Sequence, residues 1–146
     1  MEVIDELGEQ HAFERTFVGG HSQGGYLAYV ISMHFADQVD GTFPIAGEMI
    51  FQCEPDAFDD EYLMEAQRST PMVILHGKKD NVVRSSSGEY AYSRLLSHGF
   101  HNVKFLNPSL GHPYDFLPVN EAIEYLDALT TNDSKLLHSY LSLIHI

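Results

Sequence analysis

Ser22 stands in Gly20-His21-Ser22-Gln23-Gly24, with Gly25 next. This G-x-S-x-G spacing suits a hydroxyl that must act as a nucleophile. A serine at the tip of a sharp strand-to-helix turn is lifted into the open. Such a turn leaves no room for side chains two residues before and two after it, and glycine meets both demands. The first backbone N–H groups of the following helix then point toward the reacting oxygen. The flanks have the required form. Phe17-Val18-Gly19 reads as the end of a buried strand, and Leu27, Val30, Ile31 and Phe35 recur at helical spacing. Without those flanks, the same letters would describe a glycine-rich turn with an incidental serine.

A serine hydroxyl is a poor nucleophile until a base takes its proton, and that base needs an orienting carboxylate. Asp80 follows the apolar run 72–75, in His76-Gly77-Lys78-Lys79-Asp80. His112 follows the run 103–106, in Asn107-Pro108-Ser109-Leu110-Gly111-His112. Both fall in loops past the ends of expected strands, where a parallel sheet presents its functional groups. Each also has a plainer reading. Asp80-Asn81 is good turn chemistry, and His112 is one of nine histidines. Asp115 is a rival acid because it is close to His112, although its position favours a cap on the last helix.

The elements that must position these groups alternate along the chain. A helix is expected over residues 1–11, a strand over 16–19, a helix over 24–37 and a strand over 41–46. A strand over 71–75 follows an acidic loop. Ser86-Ser87-Gly88-Glu89 has capping-box spacing, and the helix it opens should end at Gly99, a good residue for the position past a helix end. A strand over 103–106 comes next. The last helix carries Val119, Ala122, Ile123, Leu126 and Leu129 on one apolar face. Strands alternating with helices imply βαβ units and a parallel sheet with right-handed crossovers, the α/β class.

Eight basic residues against twenty-one acidic ones give a net charge of −13. That balance repels phosphate backbones and disfavours nucleic acid or anionic membrane surfaces as partners. No apolar run is long enough to span a bilayer. Cys53 is alone, so no internal disulfide can form, which fits a reducing compartment and favours the cytoplasm. With no basic neighbour to lower its pKa, Cys53 is expected to be inert. Residues 48–65 mix acids with Met49, Ile50, Phe51, Phe58, Tyr62 and Leu63. They suit either a mobile flap over a pocket or a solvated loop with a short amphipathic helix. No D-x-D-x-D-G calcium loop is present. His98 and His101 have metal-like spacing but flank Gly99 at a helix end, which favours the surface.

The chain resembles the C-terminal half of an α/β-hydrolase. The marks are Gly-His-Ser-Gln-Gly-Gly at 20–25, His-Gly-x-x-Asp at 76–80 and Gly-His at 111–112. Nucleophile, then acid, then histidine is the order that superfamily uses. The elbow is similar to that of the carboxylesterase/lysophospholipase branch. Ser22-Gln23-Gly24-Gly25-Tyr26-Leu27 also resembles prolyl-oligopeptidase-type serine peptidases. The resemblance covers residues 17–129. It implies Ser22 as nucleophile, Asp80 as acid, His112 as base and the Gln23 N–H as one oxyanion-hole donor. It further implies a small-molecule ester substrate, an acyl-enzyme intermediate, and no metal or organic cofactor.

The resemblance also makes these strands the fifth to eighth of eight. The second oxyanion donor, from a loop after the third strand, would then lie upstream of Met1. The first strand here would be an apolar edge open to another strand. Residues 1–130 are expected to be the C-terminal part of a hydrolase domain, and 131–146 a tail. Leu141-Ser142-Leu143-Ile144-His145-Ile146 is what a common transposon-derived sequencing adapter encodes in one frame, so a non-native end on a partial gene is expected. Two other functions stand beside the esterase: a serine peptidase, and a non-catalytic fragment or binding module that keeps the elbow only as a turn.

Overall fold

The computed structural model describes residues 6, 14–50, 53–54, 64–112 and 118–131. Four strands, β1 (Phe17–His21), β2 (Gly41–Ile45), β3 (Met72–Leu75) and β4 (Val103–Leu106), form one all-parallel sheet in the order β1-β2-β3-β4. Between and after them come α1 (Gln23–His34), the short α2 (Glu65–Ser69), α3 (Ser85–Ser97) and α4 (Val119–Thr130). The α/β class expected from the alternation is the one observed. Strand β1 runs on to His21 because Gly20 and His21 stay in register with Pro44 and Ile45.

Strand β3 shows why its sequence is a continuous apolar run. All four residues are buried, because helices cover both faces of the sheet. Met72 and Ile74 face Tyr29 and Met33 of α1, Ala91 and Leu95 of α3, and Phe100. Val73 and Leu75 face Ala122 and Leu126 of α4. Burying each such side chain contributes about 1.5–3 kcal/mol.

Helix α1 forms as expected but turns a different face inward. Its buried residues are Gly25, Ala28, Tyr29, Ser32 and Met33, whereas Leu27 is 55% exposed and Phe35, just past its end, 36%. Backbone proximity decides the rotation. A Cβ on Gly25 would lie 2.7 Å from the Ile45 carbonyl oxygen, so only this edge of the helix can approach β2. Small residues one turn apart then extend the contact. Ser32 donates to the Ala28 carbonyl at 3.0 Å and shares a 2.6 Å hydrogen bond with Thr42 of β2.

Helix α3 ends as its sequence indicates and begins otherwise. Gly99 has φ 85°, its N–H meets the Leu96 carbonyl, and the Phe100 N–H meets that of Leu95. This doubly bonded stop needs a glycine at the left-handed position. The Ser86/Glu89 capping box does not form. The helix starts at Ser85 with Arg84 at its N-cap and no side-chain cap bond. The turn ahead of it is bound instead to the Asp80 carboxylate, which draws the helix start forward. Helix α4 buries Ala122, Leu126 and Ala128, while Ile123 is 38% exposed at the edge of the expected stripe. Its N-cap is Pro118, with no side-chain cap bond. Asp115, the expected cap, lies outside the described residues. So do most of residues 1–11, most of the 48–65 loop, and 132–146.

Candidate active site

Strand β1 ends in a strained elbow. Ser22 has φ 58° and ψ −112°, a conformation that costs a residue with a side chain about 1–3 kcal/mol. The surroundings fix it. The Ser22 N–H donates to the Ile45 carbonyl at 2.8 Å, and the Tyr26 N–H donates to the Ser22 carbonyl at 3.1 Å. A Cβ on Gly20 would lie 2.4 Å from the Gly24 carbonyl oxygen. Gly24 corrects an expectation: a Cβ there would meet nothing within 4 Å. The turn presses on the backbone of Gly24 and leaves its side-chain direction open. Gln23 opens α1, so its N–H has no carbonyl partner within the helix.

The loop after β3 presents Asp80. Its buried carboxylate takes the Val82 and Val83 N–H groups on Oδ1, at 2.9 and 3.0 Å. On Oδ2 it takes the His112 Nδ1–H at 2.8 Å. Burial pushes the carboxyl pKa up, but the bonds from His112, Val82 and Val83 outweigh it and hold the group below its ordinary value. Asp80 is therefore an anion at neutral pH. Its bond puts the His112 proton on Nδ1 and leaves Nε2 with a lone pair, as a general base requires.

The loop after β4 carries His112 back across the sheet. Lys78 N–H donates to the Pro108 carbonyl at 2.8 Å, and Lys79 N–H to that of Leu110 at 2.9 Å. Only glycine allows this crossing at position 77, where a Cβ would lie 2.3 Å from the Leu110 oxygen. At the far side, His21 Nε2–H donates to the His112 carbonyl at 2.8 Å, with ring centroids 4.6 Å apart. The structure thus joins Asp80 to His112 directly and ties His112 to the residue preceding Ser22. It forms no hydrogen bond between Ser22 Oγ and His112. Catalytic hydrogen bonds of this kind are often long before substrate binds.

A cavity of about 220 Å³ opens at Ser22, lined by Gln23, Tyr26, Glu48, Ile50 and Val83. A larger hollow of about 480 Å³ shares Glu48 and Ile50 with it. The described part of the 48–65 loop is anchored in the core, since Met49 and Cys53 are buried among the side chains under α1 and α3. Burial pushes the Cys53 thiol up to about 11, helped by the nearby Glu54 and opposed by a hydrogen bond with Ile50.

A model of the phospholipase/carboxylesterase family matches residues 2–130. The chain belongs to that family. It therefore has the α/β-hydrolase fold, and its sheet and helices are part of that fold. This phospholipase/carboxylesterase family chain is similar to acyl-protein thioesterase 1 of Eremothecium gossypii, 23% identical over 128 residues, which are 86% of this chain and 52% of the relative. It is 25% identical over 100 residues to acyl-protein thioesterase 1 of Gibberella zeae, covering 68% of this chain and 41% of that one. The chain spans about half the length of the curated relatives it matches. Among solved structures, acyl-protein thioesterase 2 of Zea mays superposes with a TM-score of 0.69 at 25% identity, over 88% of this chain and 62% of that one. SOBER1 of Arabidopsis thaliana gives 0.63 at 23% identity, over 89% and 59%.

Two histidines near the site of this family member were not singled out from sequence. His21 holds the His112 backbone, and His76 lies buried beside Asp80. Their signal was present: one is the residue before the candidate nucleophile, the other ends a buried strand four residues before the candidate acid. His98 and His101 stay away from the site. His98 Nδ1–H donates to the Arg94 carbonyl at 2.9 Å, and His101 Nε2 lies 3.9 Å from Glu65. Among the described residues no group of three His, Cys, Asp or Glu is placed to hold a metal. Among the same residues no helix is long and apolar enough to cross a membrane.

Proposed function

We propose that this chain carries the nucleophile, base and acid of a serine hydrolase that cleaves carboxylic esters, thioesters included. The observation that carries the proposal is the 2.8 Å hydrogen bond that the buried Asp80 carboxylate accepts from His112, set against a serine held at φ 58°. Ser22 Oγ attacks the carbonyl carbon of a small ester, and its proton passes to His112 Nε2. The Gln23 N–H supports the charge that develops on the carbonyl oxygen. His112 then gives the proton to the departing alkoxide or thiolate, which leaves an acyl-Ser22 ester. Water, deprotonated by His112, reverses the sequence and frees the acid. Asp80 holds the imidazole in its Nδ1–H tautomer and stabilises the cation.

Family membership and the thioesterase names of the relatives support an ester or thioester over an amide. Tyr26, Ile50 and Val83 would receive the apolar side of the substrate. Residues 1–130 are the C-terminal part of the hydrolase domain in this proposal, and 131–146 a tail.

A fluorophosphonate probe applied to the purified chain and to Ser22→Ala tests the assignment. Labelling of the first and not of the second is expected. An unlabelled chain that circular dichroism shows to be folded would overturn it, leaving the elbow as a turn in a binding module.

A further inference from the structure

One buried imidazole has no part in the proposed chemistry. His76 follows β3 and is fully buried. Its Nε2 lies 2.9 Å from the Val83 carbonyl oxygen and 3.5 Å from Asp80 Oδ2. Both oxygens only accept, so this nitrogen carries the ring proton. Its Nδ1 is buried without a hydrogen-bond partner. That side of the ring packs on α3 at Gly88, where a Cβ would come within 2.8 Å of His76 Cβ and 2.9 Å of Nδ1. The ring is therefore held at one nitrogen by a bond and at the other by contact.

The segment that His76 holds matters. Val82 and Val83 supply the two N–H groups on Asp80 Oδ1, but those bonds lie within one turn and could swing with it. The His76 bond to the Val83 carbonyl ties that turn to the end of the most buried strand. It also fixes Val83, a wall of the cavity at Ser22. The same N–H points a fixed dipole near the carboxylate oxygen that holds His112.

We infer that His76 is a positioning residue for Asp80: its Nε2–H locks the 80–83 turn to β3 and sets a fixed dipole beside the carboxylate that holds His112. Its bearing on catalysis rests on the hydrolase function proposed above, whereas its geometry does not. The other charged groups around this loop stay constant in the test. Lys78 and Lys79 on the loop, and Arg84 and Glu89 at the start of α3, are exposed, and His21 meets His112 from β1.

Ring nitrogen NMR of the histidine-labelled full chain tests the inference without requiring turnover. In the wild type, the His76 ring proton is expected on Nε2 and not on Nδ1. In His76→Leu the N–H dipole beside Asp80 is gone, the carboxylate accepts more strongly from His112, and the hydrogen-bonded His112 Nδ1 proton moves downfield. His76→Gln keeps an N–H at nearly the same place and should leave that proton near its wild-type position. A side chain that only filled space would leave the His112 proton unmoved in both variants.

An Nδ1–H tautomer of His76 in the wild type would overturn the inference, and so would an unmoved His112 Nδ1 proton in a folded Leu variant. If the Leu variant does not fold, the wild-type tautomer decides alone. A chain that fails fluorophosphonate labelling but shows the locked His76 loses the hydrolase function and keeps this inference. A labelled chain with a mobile His76 does the reverse.

Discussion

His21 donates its Nε2–H to the main-chain carbonyl of His112 at 2.8 Å, across 91 positions of sequence. The bond fixes the backbone of His112 while leaving its own imidazole to Asp80. His21→Phe keeps a ring against His112 and removes the donor. One such hydrogen bond contributes about 0.5–1.5 kcal/mol. Fluorophosphonate labelling at Ser22 should slow by roughly three- to tenfold, and urea unfolding should show a loss of about 1 kcal/mol. A wild-type labelling rate in the variant would show that His112, the proposed base, is positioned from the β3 side alone.

The glycines of the elbow are not equivalent. Gly25 faces the Ile45 carbonyl so closely that Gly25→Ala forces α1 off β2, at an expected cost of about 2 kcal/mol or more. Gly24→Ala adds a methyl to open space in the first turn of a helix. It should be neutral or gain up to about 1 kcal/mol. Urea midpoints of the two variants, measured side by side, check the contrast.

Stability should depend on Asp80 at acid pH, and the sign follows from its depressed folded-state pKa. The unfolded carboxyl titrates near 3.9. Above that value the contribution of Asp80 is fully present, and it is lost as pH falls through the lower folded-state value. Asp80→Asn should remove this part of the acid dependence. Chemical unfolding of both proteins between about pH 6 and 3 would show the two stability curves converging at the acid end.

Cys53 should behave as a core residue. Its thiol is fully buried and pushed up to about 11, so almost no thiolate exists at neutral pH. A disulfide reagent should leave the folded chain unmodified and titrate one thiol after unfolding in guanidinium. Rapid reaction in the folded state would place the 50–54 segment outside the core.

The three candidate site residues were legible because each follows an apolar run that could only be a strand. Position after a strand end is a local signal, and β1, β3 and β4 lie where those runs predict. The inward face of α1 was not legible. Its larger apolar residues, Leu27 and Phe35, are among the exposed ones, and a close backbone contact at Gly25 set the rotation instead. The capping box at Ser86 failed for a related reason: the Asp80 carboxylate binds the turn ahead of the helix, a tertiary bond invisible to local spacing. His76 and His21 belong to the same class. Their identities could be read, but their partners lie on loops whose paths the sheet decides.

The loop from β4 crosses the end of β3 and reaches the elbow of β1, so the candidate site is closed only when both edges of the described sheet are in place. If Ser22 is the nucleophile proposed above, its chemistry is an all-or-none report on assembly. A partly folded chain with β1 and β2 formed would contain the serine but lack the proposed base, His112. The fraction of molecules that a serine probe labels would then count completely wound sheets, and during refolding it would date the last strand to arrive.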